Sequence, residues 1–358
     1  MSRPQRARSV LSPFVAVVVA LAAILGATGP GAGHGEAQAA QEPAGRVSGL
    51  VRSGTAGGPA VDALPVQLIV LDEAAVIESL RTTTTGGRFA FEVVPDIARS
   101  YVVRVVYEGV QYLGAPVLLS AELPTAEVAI TVYETTRERP ALSIDRTAVT
   151  VLSLDRTNAQ LTLLREDQVR NPGDRVYLGA SEGGGESGGV GATLRIPLPD
   201  RTVEADGLGG EGEFRLEGGT LVTTAQLRPG VTSVVSRYVV GYDRARDAYT
   251  LRVTAPVATG EMEIAVPTRF VDDLEPLAGS AVTGRRDLEG ERVEVVAREG
   301  AAGPGDSVSV VLAGLAGGNA PNPLTGTGGA VLAVVLALAI ISGGAALLWR
   351  AGPRGGGA

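Results

Sequence analysis

From Gly45 to Leu315 the sequence advances in short stretches rich in Val, Thr and Leu, cut by turns that hold Gly, Pro, Asp or Asn. Within many of these stretches apolar and polar residues alternate, the period of a strand with one buried face. Phe89 and Phe91 alternate with Arg88, Ala90 and Glu92, and Val293, Val295 and Ala297 with Arg292, Glu294, Val296 and Arg298. Branched and aromatic side chains suit a pleated surface and Gly and Pro suit tight turns, so the pattern predicts an all-β fold. With 358 residues, 49 Gly and 21 Pro, the chain is long enough for two ordinary domains of short strands.

Two long apolar runs flank this region. Arg3, Arg6 and Arg8 followed by Leu11–Gly26 have the charge and length of a secretory signal, and Ala37-Gln38-Ala39 offers a small-residue cleavage site before Ala40. An uncleaved anchor is the alternative, because the apolar run sits far upstream of that site. The second run, 328–349, has 22 residues, and a hydrocarbon core ~30 Å thick needs about 20 in a helix. No charge occurs from Ser307 through Trp349, after which Arg350 and Arg354 mark the cytoplasmic side. The expectation is one C-terminal transmembrane helix with the N-terminal side outside. The expected organisation is therefore a signal peptide over 1–39, two β-sandwich-like ectodomains over 45–135 and 140–316, a linker over 317–327, the span over 328–349 and a short cytoplasmic tail over 350–358.

Just before the span stands Asn322-Pro323-Leu324-Thr325-Gly326. This pentapeptide, the apolar run and the Arg-bearing tail together resemble the tripartite cell-wall sorting signal of sortase substrates. Asn322 occupies the position where Leu is commonest in that family. The resemblance implies cleavage between Thr325 and Gly326 and a wall-linked product. Read from its residues alone, the segment is a Pro/Gly/Asn linker of the kind a membrane-proximal stalk favours.

In the first ectodomain, strands are expected at Val47–Val51, Leu64–Leu71, Thr82–Pro95 with Gly86-Gly87 as a hairpin turn, Tyr101–Tyr107 running into Tyr112 through Glu108-Gly109, and Val128–Tyr133. The succession GLV, LPVQLIVLD, TTTTGGRFAFEVVP and YVVRVVYEGVQY resembles the carboxypeptidase regulatory-like, transthyretin-like domain. That resemblance covers Gly45 to about Thr135 and implies a carbohydrate-binding-like sandwich serving as an accessory or adhesive module, not a peptidase. Sugar sites commonly stack rings on exposed aromatics, which makes Tyr107 and Tyr112 the candidate ligand contacts. Tyrosines on strands also pack inward and leave the hydroxyl at the rim.

In the second ectodomain, strands are expected at Leu142–Leu154, Ala159–Leu164, Arg175–Leu178, Thr193–Pro197, Ser233–Tyr242, Tyr249–Ala255, Glu261–Pro267, Arg292–Arg298 and Ser307–Leu315. The Gly-rich stretch Ala180–Gly191 lacks the strand, helix and Lys of a phosphate loop. Acidic groups at Asp206–Glu213 and at Asp272, Asp273 and Glu275 suggest calcium, but neither matches a known calcium loop.

The chemistry available is narrow. Cysteine is absent, the single His34 lies in the expected leader, and all 31 basic residues are Arg, a bias that reads as GC-rich coding. Without Cys or His the mature chain has no thiol nucleophile and no imidazole metal ligand. Setting aside Arg3, Arg6, Arg8, Arg350 and Arg354 from the 31 Arg, and Glu36 from the 39 acids, leaves 26 against 38 over 40–327, a net of −12. Such a surface repels nucleic acid and anionic head groups. The expectation is a non-catalytic, envelope-anchored surface protein, a binding or structural module in the cell membrane or linked to the wall, with a protein or glycan partner and no cofactor. The alternatives are an accessory subunit of a membrane-associated enzyme complex and an extracytoplasmic glycan hydrolase working through paired carboxylates.

Overall fold

The computed structural model describes residues 45–73, 75–180, 191–208, 212–288 and 290–317. The expected signal peptide, the span, the tail and the Asn322–Gly326 motif lie outside these residues, as does most of the Gly-rich stretch. Among the described residues the fold is almost entirely strand, the one helical piece is a 3₁₀ turn at Thr268–Phe270, and no helix is long and apolar enough to cross a membrane. The chain divides into two compact units, one up to Glu134 and one from Thr135 onward.

The first unit holds β1 (Gly45–Ser53), β2 (Pro65–Asp72), β3 (Ala75–Thr83), β4 (Arg88–Val93), β5 (Arg99–Tyr107), β6 (Val110–Leu113), β7 (Val117–Leu118) and β8 (Thr125–Val132). They form two sheets, β4-β1-β8 and β3-β2-β5-β6, with β7 also on β5. Every second residue is buried in β4, from Gly45 to Val51 in β1 and from Val128 to Val132 in β8, as the alternation requires. Phe89 and Phe91 of β4 sit opposite Gly49 and Val47 of β1. A Cβ on Gly49 would lie 1.9 Å from the Val128 carbonyl oxygen and 2.6 Å from the Phe89 ring, so only glycine fits there. In β2 the alternation breaks, because Leu68, Ile69, Val70 and Leu71 are all buried.

The Gly86-Gly87 turn forms, with φ of +57° and +76° and a bridge between Thr85 and Arg88. The strands it joins then part. β3 pairs with β2 and β4 with β1, so the turn carries the chain from one sheet to the other where a two-stranded hairpin was expected. Glu108-Gly109 does close a hairpin, with both residues at positive φ and Tyr107 opposite Val110.

The second unit holds β9 (Thr135–Thr136), β10 (Ser143–Asp155), β11 (Gln160–Asn171), β12 (Val176–Tyr177), β13 (Leu194–Pro197), β14 (Thr202–Gly207), β15 (Phe214–Glu217), β16 (Thr220–Thr223), β17 (Gly230–Gly241), β18 (Ala248–Thr254), β19 (Thr259–Pro267), β20 (Asp273–Pro276), β21 (Ser280–Leu288), β22 (Glu291–Arg298) and β23 (Ser307–Ala313). A seven-stranded sheet runs β14-β17-β11-β10-β19-β22-β21, beside smaller sheets β18-β23-β20, β13-β16-β15 and β12-β9. Its three longest strands, β10, β11 and β17, each reach over two apolar clusters. At one end Val149, Leu161, Leu163, Tyr238 and Val240 pack with Leu251, Val310 and Leu312 of the β18-β23-β20 sheet. At the other end Ile144, Val169 and Val234 pack with Ile196, Leu221 and Tyr177. Register shifts in β10, between Ile144 and Thr147 and between Val151 and Ser153, keep its apolar side chains on the covered face along this length.

Candidate functional site

Between those two clusters the covered face of the large sheet turns polar. Along β11 the inward positions run Leu161, Leu163, Arg165, Asp167, Val169, so a guanidinium and a carboxylate occupy two core positions at 1% and 0% exposure. Arg165 lies opposite Val149 and Ser236, and Asp167 opposite Thr147 and Val234. Arg165 donates from Nε to Asp167 Oδ2 at 2.8 Å and from Nη2 to Oδ1 at 3.1 Å. Thr147 Oγ1 donates to the same Oδ1 at 2.6 Å, and the Thr254 carbonyl accepts from Arg165 at 3.3 and 3.4 Å. The carboxylate is thus held by three donors, the arrangement a buried ion pair needs to survive desolvation.

Burial, the largest influence, works against the charge on Arg165, yet Asp167 and Tyr238 together outweigh it and hold the guanidinium above its ordinary value. Burial pushes the Tyr238 hydroxyl well above the ordinary tyrosine value, with Arg165 pulling the other way. The Ser236 hydroxyl is buried on this face without a hydrogen-bond partner among the described residues, and the Tyr238 hydroxyl lies against the Arg165 guanidinium. The expected strand Ala159–Leu164 stops short of this cluster, whereas β11 runs on to Asn171. The signal was the phase: Arg165 and Asp167 continue the odd-numbered apolar stripe of Leu161 and Leu163, which places them inside.

Elsewhere the second unit carries ion pairs on its surface. Glu263 receives Arg146 and Arg286, Glu217 receives Arg195 and Arg215, and Arg237 reaches both Glu204 and Asp206. Hydrogen bonds from Arg195 and Arg215 hold Glu217 below the usual carboxylate range, and hydrogen bonds from Asn158 do the same for Asp155. Of the acidic groups considered for calcium, Asp206 faces Arg237, and Asp273 and Glu275 are exposed on β20. Among the described residues no three His, Cys, Asp or Glu side chains are grouped to hold a metal ion.

An open cavity of about 260 Å³ lies in the second unit, bordered by Arg139, Tyr177, Thr193, Leu194, Arg195 and Pro256. Its wall is part of the core. Tyr177 exchanges both backbone hydrogen bonds with Leu227, at 3.0 and 3.1 Å, and Thr193 bonds the Thr223 carbonyl through its amide and its hydroxyl. The candidate aromatics of the first unit lie on one face of the β5-β6 hairpin. Tyr112 is 5% exposed, and its hydroxyl donates to the Tyr133 carbonyl and accepts from the Tyr133 amide. Tyr107 is half-buried at the end of that face, and burial, Glu108 and Glu134 raise its hydroxyl above the ordinary value.

No family model matches the chain, and no curated protein matches it. Among solved structures, an M1 zinc metallopeptidase from Deinococcus radiodurans is similar at 11% identity and a TM-score of 0.30, over 48% of this chain and 42% of that one. The chain therefore spans less than half the length of that structure. The major pilin SpaA of Corynebacterium diphtheriae is similar at 11% identity and a TM-score of 0.19, over 75% of this chain and 84% of that one. TM-scores this low support no inference about this chain.

Proposed function

We propose that this chain is a non-catalytic surface protein of the cell envelope, a binding or structural module held outside the cytoplasmic membrane by one C-terminal span. In this reading both units are sandwich-like ectodomains, and the first is a carboxypeptidase regulatory-like module. The observation that supports it most is where the charged chemistry sits. Arg165 and Asp167 are locked to each other inside the core. Among the described residues, the carboxylates whose affinity for protons is displaced, Asp155 and Glu217, are displaced downward. A glycosidase acid needs the opposite shift, upward, to carry its proton at neutral pH. Protease treatment of intact cells tests the reading: it predicts that peptides from 45–317 are released while the cells stay closed. Release only after lysis would overturn it.

A second reading, an accessory subunit that docks a protein partner, is favoured by one feature of the first unit. Val94, Ile97, Leu118 and Leu123 are large apolar side chains exposed by 43%, 74%, 55% and 73%. They share one end of the unit, since Val93 pairs with Gly45, Pro124 accepts from the Arg46 amide, and Leu118 lies opposite Ser100. Exposed apolar groups gathered in one place are the usual mark of a contact surface. This reading predicts that Ile97→Asp with Leu123→Asp abolishes co-purification of a partner with an unchanged urea midpoint. Retained co-purification would refute it.

A further inference from the structure

Among the described residues, the border of the cavity beside Tyr177 holds two guanidinium groups and no carboxylate. Arg139 makes no ion pair among the described residues. Arg195 is tied through Nη1 to Glu217 at 2.9 Å, which fixes the position of its guanidinium. A planar guanidinium fork matches a carboxylate with two parallel hydrogen bonds, and a positioned Arg loses little freedom in making them. One unpartnered cation matches one negative charge. A dianionic phosphate would bring an excess charge into an ectodomain whose net charge is already −12. The wall behind the arginines is rigid, with Tyr177 and Thr193 at 2% and 3% exposure and both bonded to core backbone. A volume of about 260 Å³ sits just under the usual range for small-molecule sites and admits a ligand of about one ring.

We infer that this cavity binds the carboxylate of a monoanionic ligand the size of one sugar ring, with Arg139 as the principal contact and Arg195 as the second. The inference gives a ligand class to the binding role proposed above and rests on that role. The probes are D-glucuronate and D-glucose, titrated calorimetrically into the purified full-length chain at constant ionic strength. Glucuronate binds saturably, glucose does not, and Arg139→Gln weakens glucuronate by about tenfold or more, the loss expected for a charge-assisted hydrogen bond. Arg52→Gln, in the other unit, leaves binding unchanged. Equal binding of glucose, wild-type affinity in Arg139→Gln, or no glucuronate heat up to its solubility limit overturns the site. Methyl glucuronide identifies the source: tighter binding than free glucuronate points to a glycan end, weaker binding to a free acid. Recovery of the probe separates this inference from the role it rests on. A probe that is bound through Arg139 but recovered chemically changed keeps the site and sinks the non-catalytic reading.

Discussion

Removing Asp167 leaves the Arg165 guanidinium inside the core at 1% exposure with the Thr254 carbonyl as its remaining acceptor. Asp167→Ala deletes two charge-assisted bonds, at 2.8 and 3.1 Å, and the 2.6 Å bond from Thr147. Breaking one side of a buried pair costs about 3–5 kcal/mol, mostly the desolvation of the charge left behind. Arg165→Met costs a similar amount, because Asp167 then keeps Thr147 as its partner and no cation. Replacing both, as Arg165→Met with Asp167→Leu, leaves no orphaned charge between apolar clusters that already flank the site, and it is expected to be neutral or stabilising by about 1–4 kcal/mol. Urea unfolding followed by hydrogen exchange on peptides from β10, β11 and β17 reads all three variants. The reasoning fails if each single variant costs under about 1 kcal/mol, or if the double variant costs the sum of the two singles.

Three further outcomes follow from the packing. Tyr238 and Tyr249 keep their protons in the folded chain above the pH at which unfolded tyrosine loses them, near 10. Stability is therefore fully present below about pH 10 and falls above it by up to about 1.4 kcal/mol per pH unit for each tyrosine. Urea midpoints from pH 8 to pH 11.5 check this, and a midpoint that stays flat contradicts it. Gly49→Ala pushes a methyl group into the Val128 carbonyl and the Phe89 ring and should cost about 1–3 kcal/mol, read as a lower midpoint of the first unit. Phe91→Ala, at a site 5% exposed, should cost about 3–5 kcal/mol, whereas Ile97→Ala, at 74%, should stay within about 0.5 kcal/mol.

The all-β character was legible because alternation and turn residues agree along the chain. β4 shows this best, since Phe89 and Phe91 take the buried positions that their spacing assigns. Several edge strands were not legible. β3 carries Val76, Ile77 and Leu80 among residues that are nearly all exposed, so no buried stripe marks it as a strand. β14 and β20 are similarly polar or short and form by pairing with β17 and β23, far along the chain, whereas the equally polar β15 and β21 pair with the next strands, β16 and β22. The buried ion pair was hidden for a different reason. Charged residues at strand positions usually face water, and Arg165 and Asp167 turn inward because the strand runs on past Leu164 in the phase set by Leu161 and Leu163. The Arg139–Arg195 cavity is bordered by residues of the β9–β10 connection and of β13, which lie far apart in the chain, so no local pattern encodes it.

The central claim is that the chain is exported and held in the envelope, and the intact mass of the protein recovered from its native envelope tests it most directly. The account predicts a species that begins at Ala40, ends at Ala358 and is extracted by detergent alone. Release only by wall-degrading enzymes, with an end at Thr325, would replace the membrane anchor by a wall linkage and keep the surface role. A species that begins at Met1 and is recovered from the soluble cytoplasmic fraction would contradict the account.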